Sequence, residues 1–162
     1  MSTNFRAANS VPSNVDGSGI RVGLVCGRWN DHITNRLIEG AENALGIHGV
    51  SESDVIQVWV PGAYEAPMAA KALVQSGKVD VVVCLGAVIR GETSHYDFVA
   101  GECARGIMDV QLETGVPVIF GVLTTENLEQ ALARSSEEDN KGEECVRTGL
   151  EMVNLLRTIG LK

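Results

Sequence analysis

The sequence predicts an α/β protein in which a parallel β-sheet lies between two layers of helices. Short apolar segments alternate along the chain with longer segments of helical periodicity. The apolar segments are hydrophobic on both sides, which is typical of strands that helices cover on both faces. A chain of 162 residues, 44% of them hydrophobic, fits one domain. We therefore expect a single-domain, three-layer α/β/α sandwich with a four-stranded parallel sheet and right-handed crossovers.

Residues 1–19 are predicted to form a flexible arm ahead of a domain of residues 20–162. The arm is rich in Ser, Asn and Gly and has no apolar period. It lacks the apolar core of a secretory signal, and its single arginine without an amphipathic repeat argues against a transit peptide. Such an arm could add a strand to the sheet edge of a neighbouring subunit.

Four apolar segments predict the strands. The first two read IRVGLVC and VIQVWV, and Pro61 and Gly62 end the second of them. The third, VDVVVCL, is almost continuously apolar, as expected of a strand buried on both faces, and the fourth reads VPVIFGVL. These strands cover residues 20–26, 55–60, 79–85 and 116–123.

Five segments between and after the strands predict helices. In the first, apolar side chains from Ile33 to Ile47 share one stripe, Asp31 is the predicted N-cap, and Gly46 and Gly49 mark the end. The other four predicted helices cover about residues 65–76, 95–113, 126–134 and 141–158.

Charge, hydropathy and cysteine usage exclude several classes. The chain has 13 Lys and Arg against 21 Asp and Glu, an acidic balance that argues against nucleic-acid binding. No apolar stretch reaches the ~18 residues of a membrane helix. The four cysteines have no CxxC spacing, so we expect reduced, buried thiols in a cytosolic protein. The three histidines do not cluster with other ligand types, so no structural metal is expected.

Aromatic residues concentrate where a ligand would bind. In an open parallel sheet, ligands bind beyond the carboxyl ends of the strands. Trp29, Tyr64, Tyr96 and Phe98 follow predicted strand ends, while Phe120 lies within the fourth strand. Flat side chains there suit a flat, conjugated ligand held by stacking, although they could also simply plug the end of the sheet.

Polar residues near the third strand suggest an anion site and a proton carrier. The turn GETS leads into a helix, where free N–H groups and the hydroxyl of Thr93 could hold a phosphate. Ordinary N-capping is the structural alternative, and Glu92 argues against an anion. His95, in the first helical turn, could exchange a proton with a ligand or be a hydrogen-bonded loop histidine. Glu65 at a helix start and Arg134 at a helix end could each interact favourably with the helix dipole, or they could contact a ligand.

Six segments in this order and spacing resemble the 6,7-dimethyl-8-ribityllumazine synthase family. They read GRWNDHIT, VPGAYEAP, CLGAVIRGETSHYDFV, GVPVIFGVLTTEN, EQALAR and NKG, within about residues 20–157. The resemblance implies flavodoxin-like topology and the condensation of 5-amino-6-(D-ribitylamino)uracil with 3,4-dihydroxy-2-butanone 4-phosphate, releasing phosphate and water, in riboflavin biosynthesis. It implies no metal or redox cofactor and a cytoplasmic location. It also implies pentamers, which in many members close into 60-subunit shells, with active sites between adjacent subunits. Riboflavin synthase is a further candidate partner.

The resemblance also assigns roles to individual residues. His95 matches the general acid/base, Trp29 takes the place of the aromatic that stacks on the pyrimidine, and Asn30 flanks it. Arg134 binds phosphate from the neighbouring subunit, and Lys141 is a basic residue near that site. The other residues of the same subunit bind the ribityl chain (Ala63, Tyr64, Glu65), the uracil (Ala87, Val88, Ile89) and the phosphate (Glu92, Thr93). Phe120, like Arg134, comes from the neighbouring subunit.

Three departures from the family pattern qualify these roles. Trp29 replaces a commoner Phe, which implies riboflavin binding as a secondary property. Ser135 and Ser136 replace a usual Ala-Gly pair, which affects the aim of Arg134, and the short loop from Arg134 to Lys141 favours a closed shell. The competing interpretation is a non-catalytic relative that binds flavin or forms a shell, but the presence of Thr93, His95 and Arg134 together favours the enzyme.

Overall fold

Four strands form the sheet that organises this fold. The computed structural model describes residues 13–160. Its strands are β1 Val22–Gly27, β2 Val55–Val60, β3 Val81–Ile89 and β4 Val118–Thr125. Its α-helices are α1 Asp31–Ile47, α2 Ala66–Gln75, α3 His95–Thr114, α4 Leu128–Arg134 and α5 Lys141–Ile159.

The sheet is parallel throughout, with the strand order β2-β1-β3-β4. The central strand β1 pairs with β2 on one side and with β3 on the other. Its first residue, Val22, lies opposite Val55 of β2 and Val81 of β3. The chain moves outward from β1 to β2 and then crosses back to β3 and β4, so a switch point lies between β1 and β3. This order confirms the predicted parallel sheet and flavodoxin-like topology.

Helices cover both faces of the sheet and enclose two hydrophobic cores. On the side of α1 and α5, the core includes the fully buried Leu24, Leu37 and Leu150. On the side of α2 and α3, the second core includes Val25 and Ile107. The central strands are therefore buried from both sides, which confirms the three-layer sandwich.

The predicted element boundaries shift by a few residues. β1 and β3 each begin two residues later than predicted, because Ile20 and Val79 are buried next to the core without joining the ladder. β3 continues to Ile89, since its last residues pair with β4. The prediction of Asp31 as N-cap was wrong: Asn30 holds that position, with a left-handed φ of 61°.

Part of the predicted N-terminal arm contacts the domain. The side-chain amide of Asn154 in α5 donates to the carbonyl oxygens of Asn14 and Asp16, at 3.1 and 2.9 Å. The amide of Gly17 donates to the carbonyl of His48, just after α1. Residues 1–12 lie outside the described part of the chain. Across residues 13–160, no helix is both long and apolar enough to cross a membrane.

The start of α5 lies unusually close to α1. Asn140 caps α5 by accepting a hydrogen bond from the amide of Gly142, and its Nδ2 donates to the carbonyl of Arg36 in α1, both at 2.9 Å. A Cβ on Gly142 would overlap the backbone carbonyl of Leu37. The absence of a side chain at residue 142 therefore allows the two helices to approach.

We expect Gly142→Ala to destabilise the fold, because the overlap with the α1 backbone can be relieved only by moving a helix. Overpacking of this kind lowers the free energy of unfolding by about 1–3 kcal/mol. Denaturant unfolding checks the effect, with Gly46→Ala as the control. An added Cβ at Gly46 meets open space, so that variant should gain up to about 1 kcal/mol. Equal stability of the two variants would contradict the packing argument.

Candidate active site

An open cleft of about 730 Å³ lies at the carboxyl ends of β1, β2 and β3. Its walls come from the segments that follow β1 and β2, from the end of β3, and from the first turn of α3. It therefore occupies the switch point of the sheet. Ten of the predicted site residues line it: Trp29, Asn30, Ala63, Tyr64, Glu65, Ala87, Val88, Ile89, Thr93 and His95.

Backbone hydrogen bonds fix the segment that carries Trp29. The amide of Trp29 donates to the carbonyl of Pro61 at 3.0 Å, which extends the contact between β1 and β2 beyond the strands. The next residue, Asn30, donates from Nδ2 to the carbonyl of Ala87 in β3 at 2.9 Å. The segment is thus attached to both neighbouring strands, while the side chain of Trp29 remains 77% exposed.

The segment after β2 forms the opposite wall. A short 3-10 turn, Ala63–Glu65, leads from Gly62 into α2. A Cβ on Gly62 would lie 3.8 Å from the Cβ of Trp29, so the two walls are in close contact here. Tyr64 and Phe98, the latter in α3, line the cleft with most of their side chains exposed. Three accessible aromatic side chains therefore surround one cavity, an arrangement that suits a flat ligand.

Polar groups lie at one end of the cleft, where the first turn of α3 forms the wall. His95 is the first residue of α3, and its side chain is exposed to the cleft. Its amide points to the hydroxyl of Thr93 at 3.4 Å, a long contact. Ser94 precedes the helix without a side-chain capping bond, so Ser94 does not provide the N-capping that was the structural alternative to an anion site. The imidazole and the Thr93 hydroxyl are thus both accessible to a ligand.

Four predicted site residues do not line this cleft: Glu92, Phe120, Arg134 and Lys141. Arg134 ends α4 and donates from Nη1 to the carbonyl of Gln130. Lys141 begins α5, where Asp139 and Glu144 each lie 3.0 Å from its Nζ. Burial lowers the pKa of Lys141, but these two ion pairs outweigh it and raise the pKa above its usual value.

The cleft lacks a cation of its own. Among the described residues that line it, none is a lysine or arginine. Its polar side chains are those of Asn30, Tyr64, Glu65, Thr93, His95 and Tyr96. Within residues 13–160, the cleft therefore offers surfaces for a flat ring and hydroxyl groups, but no lysine or arginine for a phosphate.

Six lining residues had no assigned role in the predicted site: Pro61, Gly62, Gly91, Tyr96, Phe98 and Val99. Tyr96 and Phe98 carried a usable signal, because they belong to the aromatic residues that follow strand ends. Val99 lies one helical turn after His95, so helical periodicity would have placed it on the same face of α3.

The cysteines do not contribute to the cleft. All four are free thiols, and three of them are fully buried. Burial raises the pKa of Cys26 to about 12 and that of Cys103 to about 11, so both thiols stay protonated at neutral pH. Within residues 13–160, no group of three or more His, Cys, Asp or Glu side chains could hold a metal ion.

The fold and the cleft define a class of protein: a flavodoxin-like α/β domain with an open, aromatic-lined cleft at the switch point of its sheet. A family model described as 6,7-dimethyl-8-ribityllumazine synthase matches residues 19–157. The chain belongs to this family, so it is a transferase of riboflavin biosynthesis. The match confirms the resemblance that the sequence motifs indicated.

We expect two substitutions of Asn30 to separate its backbone role from its hydrogen bond. Asn30→Gly keeps the left-handed φ and removes the bond to Ala87, which lowers the free energy of unfolding by about 1 kcal/mol. Asn30→Ala also places a Cβ in the left-handed region, which adds a further loss of about 1 kcal/mol. Unfolding in urea measures both, with the exposed Asn35→Ala in α1 as control. Equal losses in the two variants would show that the φ angle contributes nothing.

Proposed function

We propose that this chain condenses 5-amino-6-(D-ribitylamino)uracil with 3,4-dihydroxy-2-butanone 4-phosphate to give the lumazine, phosphate and water. The supporting observation is that ten residues which the family motifs assign to this site line one cleft. They come from three strand ends and one helix, so their convergence does not follow from closeness in the sequence.

The proposed reaction needs positioning more than a strong nucleophile. The amine of the pyrimidine attacks a carbonyl to form an imine and release water, and phosphate is then eliminated. The second amine closes the ring on the other carbonyl carbon and releases a second water. These steps require two substrates held in register, a group that moves protons, and a site for the departing anion. The buried thiols, protonated at neutral pH, are not needed for any of them.

The pyrimidine occupies the aromatic end of the cleft in this proposal. Trp29 stacks on the ring, and the backbone of β3 from Ala87 to Ile89 runs along its uracil edge. The turn Ala63–Glu65 holds the ribityl hydroxyls through Glu65 and backbone groups. The exposure of the Trp29 indole also supports a secondary affinity for riboflavin, which presents a similar flat ring.

The phosphate-bearing substrate occupies the end near α3. The turn that contains Glu92 contributes the Thr93 hydroxyl, and His95 moves protons between the reacting groups. Since the single chain lacks a cation here, Arg134 of an adjacent subunit binds the phosphate, and Phe120 of that subunit closes the cleft. Phe120 is 40% exposed in the edge strand β4. Arg134 is partly exposed, and its bond goes to a neutral carbonyl.

Lys141 is the weaker candidate for the phosphate contact. Two carboxylates already lie at its ammonium, whereas the charge of Arg134 is not balanced by its bond to Gln130. We therefore infer an assembly of at least a pentamer, in which Arg134 and not Lys141 supplies the main charge. The short loop between them is compatible with closure into a shell. Free thiols suit a reducing compartment, which supports a cytoplasmic location.

The first test mixes the protein with both substrates and follows lumazine fluorescence together with released phosphate. His95→Ala should lower kcat by about 10- to 10⁴-fold if His95 moves protons in the reaction. His48→Ala is the matched control, because His48 lies at the far end of α1 and does not line the cleft. No acceleration by the unmodified protein would end the proposal, and a loss below twofold in His95→Ala would reduce His95 to a positioning role.

A complementation experiment tests the shared site. His95→Ala and Arg134→Ala are each expected to be nearly inactive, but they remove residues from different subunits of the same cleft. After random co-assembly, about a quarter of the sites would contain both native residues, and activity should return to that extent. Mixing His95→Ala with Arg147→Ala, a control at an exposed arginine of α5, should give about half the native activity, as subunit dilution predicts. Failure of the first mixture to regain activity in co-assembled particles would place the whole site within one chain.

A further inference from the structure

Arg90 connects three parts of the chain around the turn at residues 91–94. Its amide donates to the carbonyl of Thr125 at 2.9 Å, which continues the contact of β3 with β4. Its guanidinium donates to Glu126 at 2.8 Å and to Asp97, in the first turn of α3, at 3.1 Å. The Cζ atom also lies 4.1 Å from the centre of the Tyr96 ring, a cation–π distance.

The turn itself has weak internal support. Its four residues are exposed, and the contact between the amide of His95 and the hydroxyl of Thr93 is long, at 3.4 Å. Ser94 makes no side-chain capping bond at the start of α3. The Arg90–Asp97 ion pair, by contrast, joins the residue before the turn to the helix after it.

We propose that Arg90 is a positioning residue that holds Thr93 and His95 in place for the phosphate-bearing substrate. This inference rests on the proposed function of the cleft. By pairing with Asp97 across the turn and with Glu126 beside it, Arg90 limits the conformations that residues 91–95 can adopt. Its contact with Tyr96, which lines the cleft, orients one wall at the same time.

Direct binding of phosphate by Arg90 is disfavoured by the same contacts. Arg90 does not line the cleft, and two carboxylates already balance its charge. The hydrogen bond to Asp97 raises the pKa of Arg90 above its usual value, as expected of a guanidinium held by an anion. An incoming phosphate would have to displace both carboxylates.

The experiment compares Arg90→Met with Arg105→Met in the assembled, full-length protein. Arg105 is a matched control, because it is also exposed and pairs with two carboxylates, Glu102 and Asp109, but all three lie within α3. In Arg90→Met, amide hydrogen exchange over residues 91–95 should rise by about tenfold or more, and in Arg105→Met it should stay unchanged. The KM of the phosphate-bearing substrate should rise by about 5- to 50-fold in Arg90→Met, while that of the pyrimidine changes less than twofold.

Two milder variants keep the test decisive if Arg90→Met does not fold. Arg90→Lys keeps one ion pair and should give intermediate exchange, since an ammonium cannot bridge both carboxylates as a guanidinium does. Asp97→Asn should loosen the turn, whereas the exposed Glu129→Gln, a matched charge change in α4, should not.

Two results would overturn the inference. The first is unchanged exchange over residues 91–95 in both Arg90→Met and Asp97→Asn. The second is that Asp97→Asn binds inorganic phosphate more tightly than Glu129→Gln does, while its hydrogen exchange over residues 91–95 is unchanged. Arg90 would then be an anion ligand. If the unmodified protein forms no lumazine, the proposed function fails separately, because hydrogen exchange still reports whether Arg90 holds the turn.

Discussion

The pairing of β1 with β3 is the constraint on which the rest of this structure depends. The chain leaves β1 for β2 on one side and reaches β4 from β3 on the other, so no crossover covers the carboxyl ends of the two central strands. The cleft lies in the gap that this reversal leaves. The bond from Asn30 to the carbonyl of Ala87 spans the same gap and keeps its two sides at a fixed distance.

The layered fold could be predicted because burial on both faces leaves a direct mark on a strand. The strand boundaries could not be predicted, because Ile20 and Val79 are buried like strand residues although they do not pair in the ladder. Ile47 shows the same limit in a helix: it continues the apolar stripe of α1, yet its side chain is 68% exposed at the helix end. Likewise, residue type favours Asp31 as a cap, but the left-handed φ of Asn30 decides where α1 begins.

The cleft could be predicted to the extent that it depends on topology. Strand ends of a parallel sheet meet at one edge, so residues from three distant segments could be assigned to one place without coordinates. Phe98 and Val99 could have been assigned by the same reasoning, because Phe98 follows a strand end and Val99 lies one helical turn after His95. Phe120 and Arg134 do not line the cleft of their own chain, so their proposed contribution to the site depends on a second chain.

The distribution of charge links the proposed chemistry to assembly. Two basic side chains, Arg90 beside the turn at residues 91–94 and Lys141 at the start of α5, are each held by two carboxylates of their own chain. The described lining of the cleft is aromatic and polar without a lysine or arginine, a surface that suits a flat ring. A phosphate group needs a positive charge in a partly desolvated site. In the proposed function, Arg134 of a neighbouring subunit supplies that charge. Under the proposed function, an isolated subunit would bind the pyrimidine but would lack the charge that stabilises the departing phosphate, so the proposed catalysis would depend on a subunit interface.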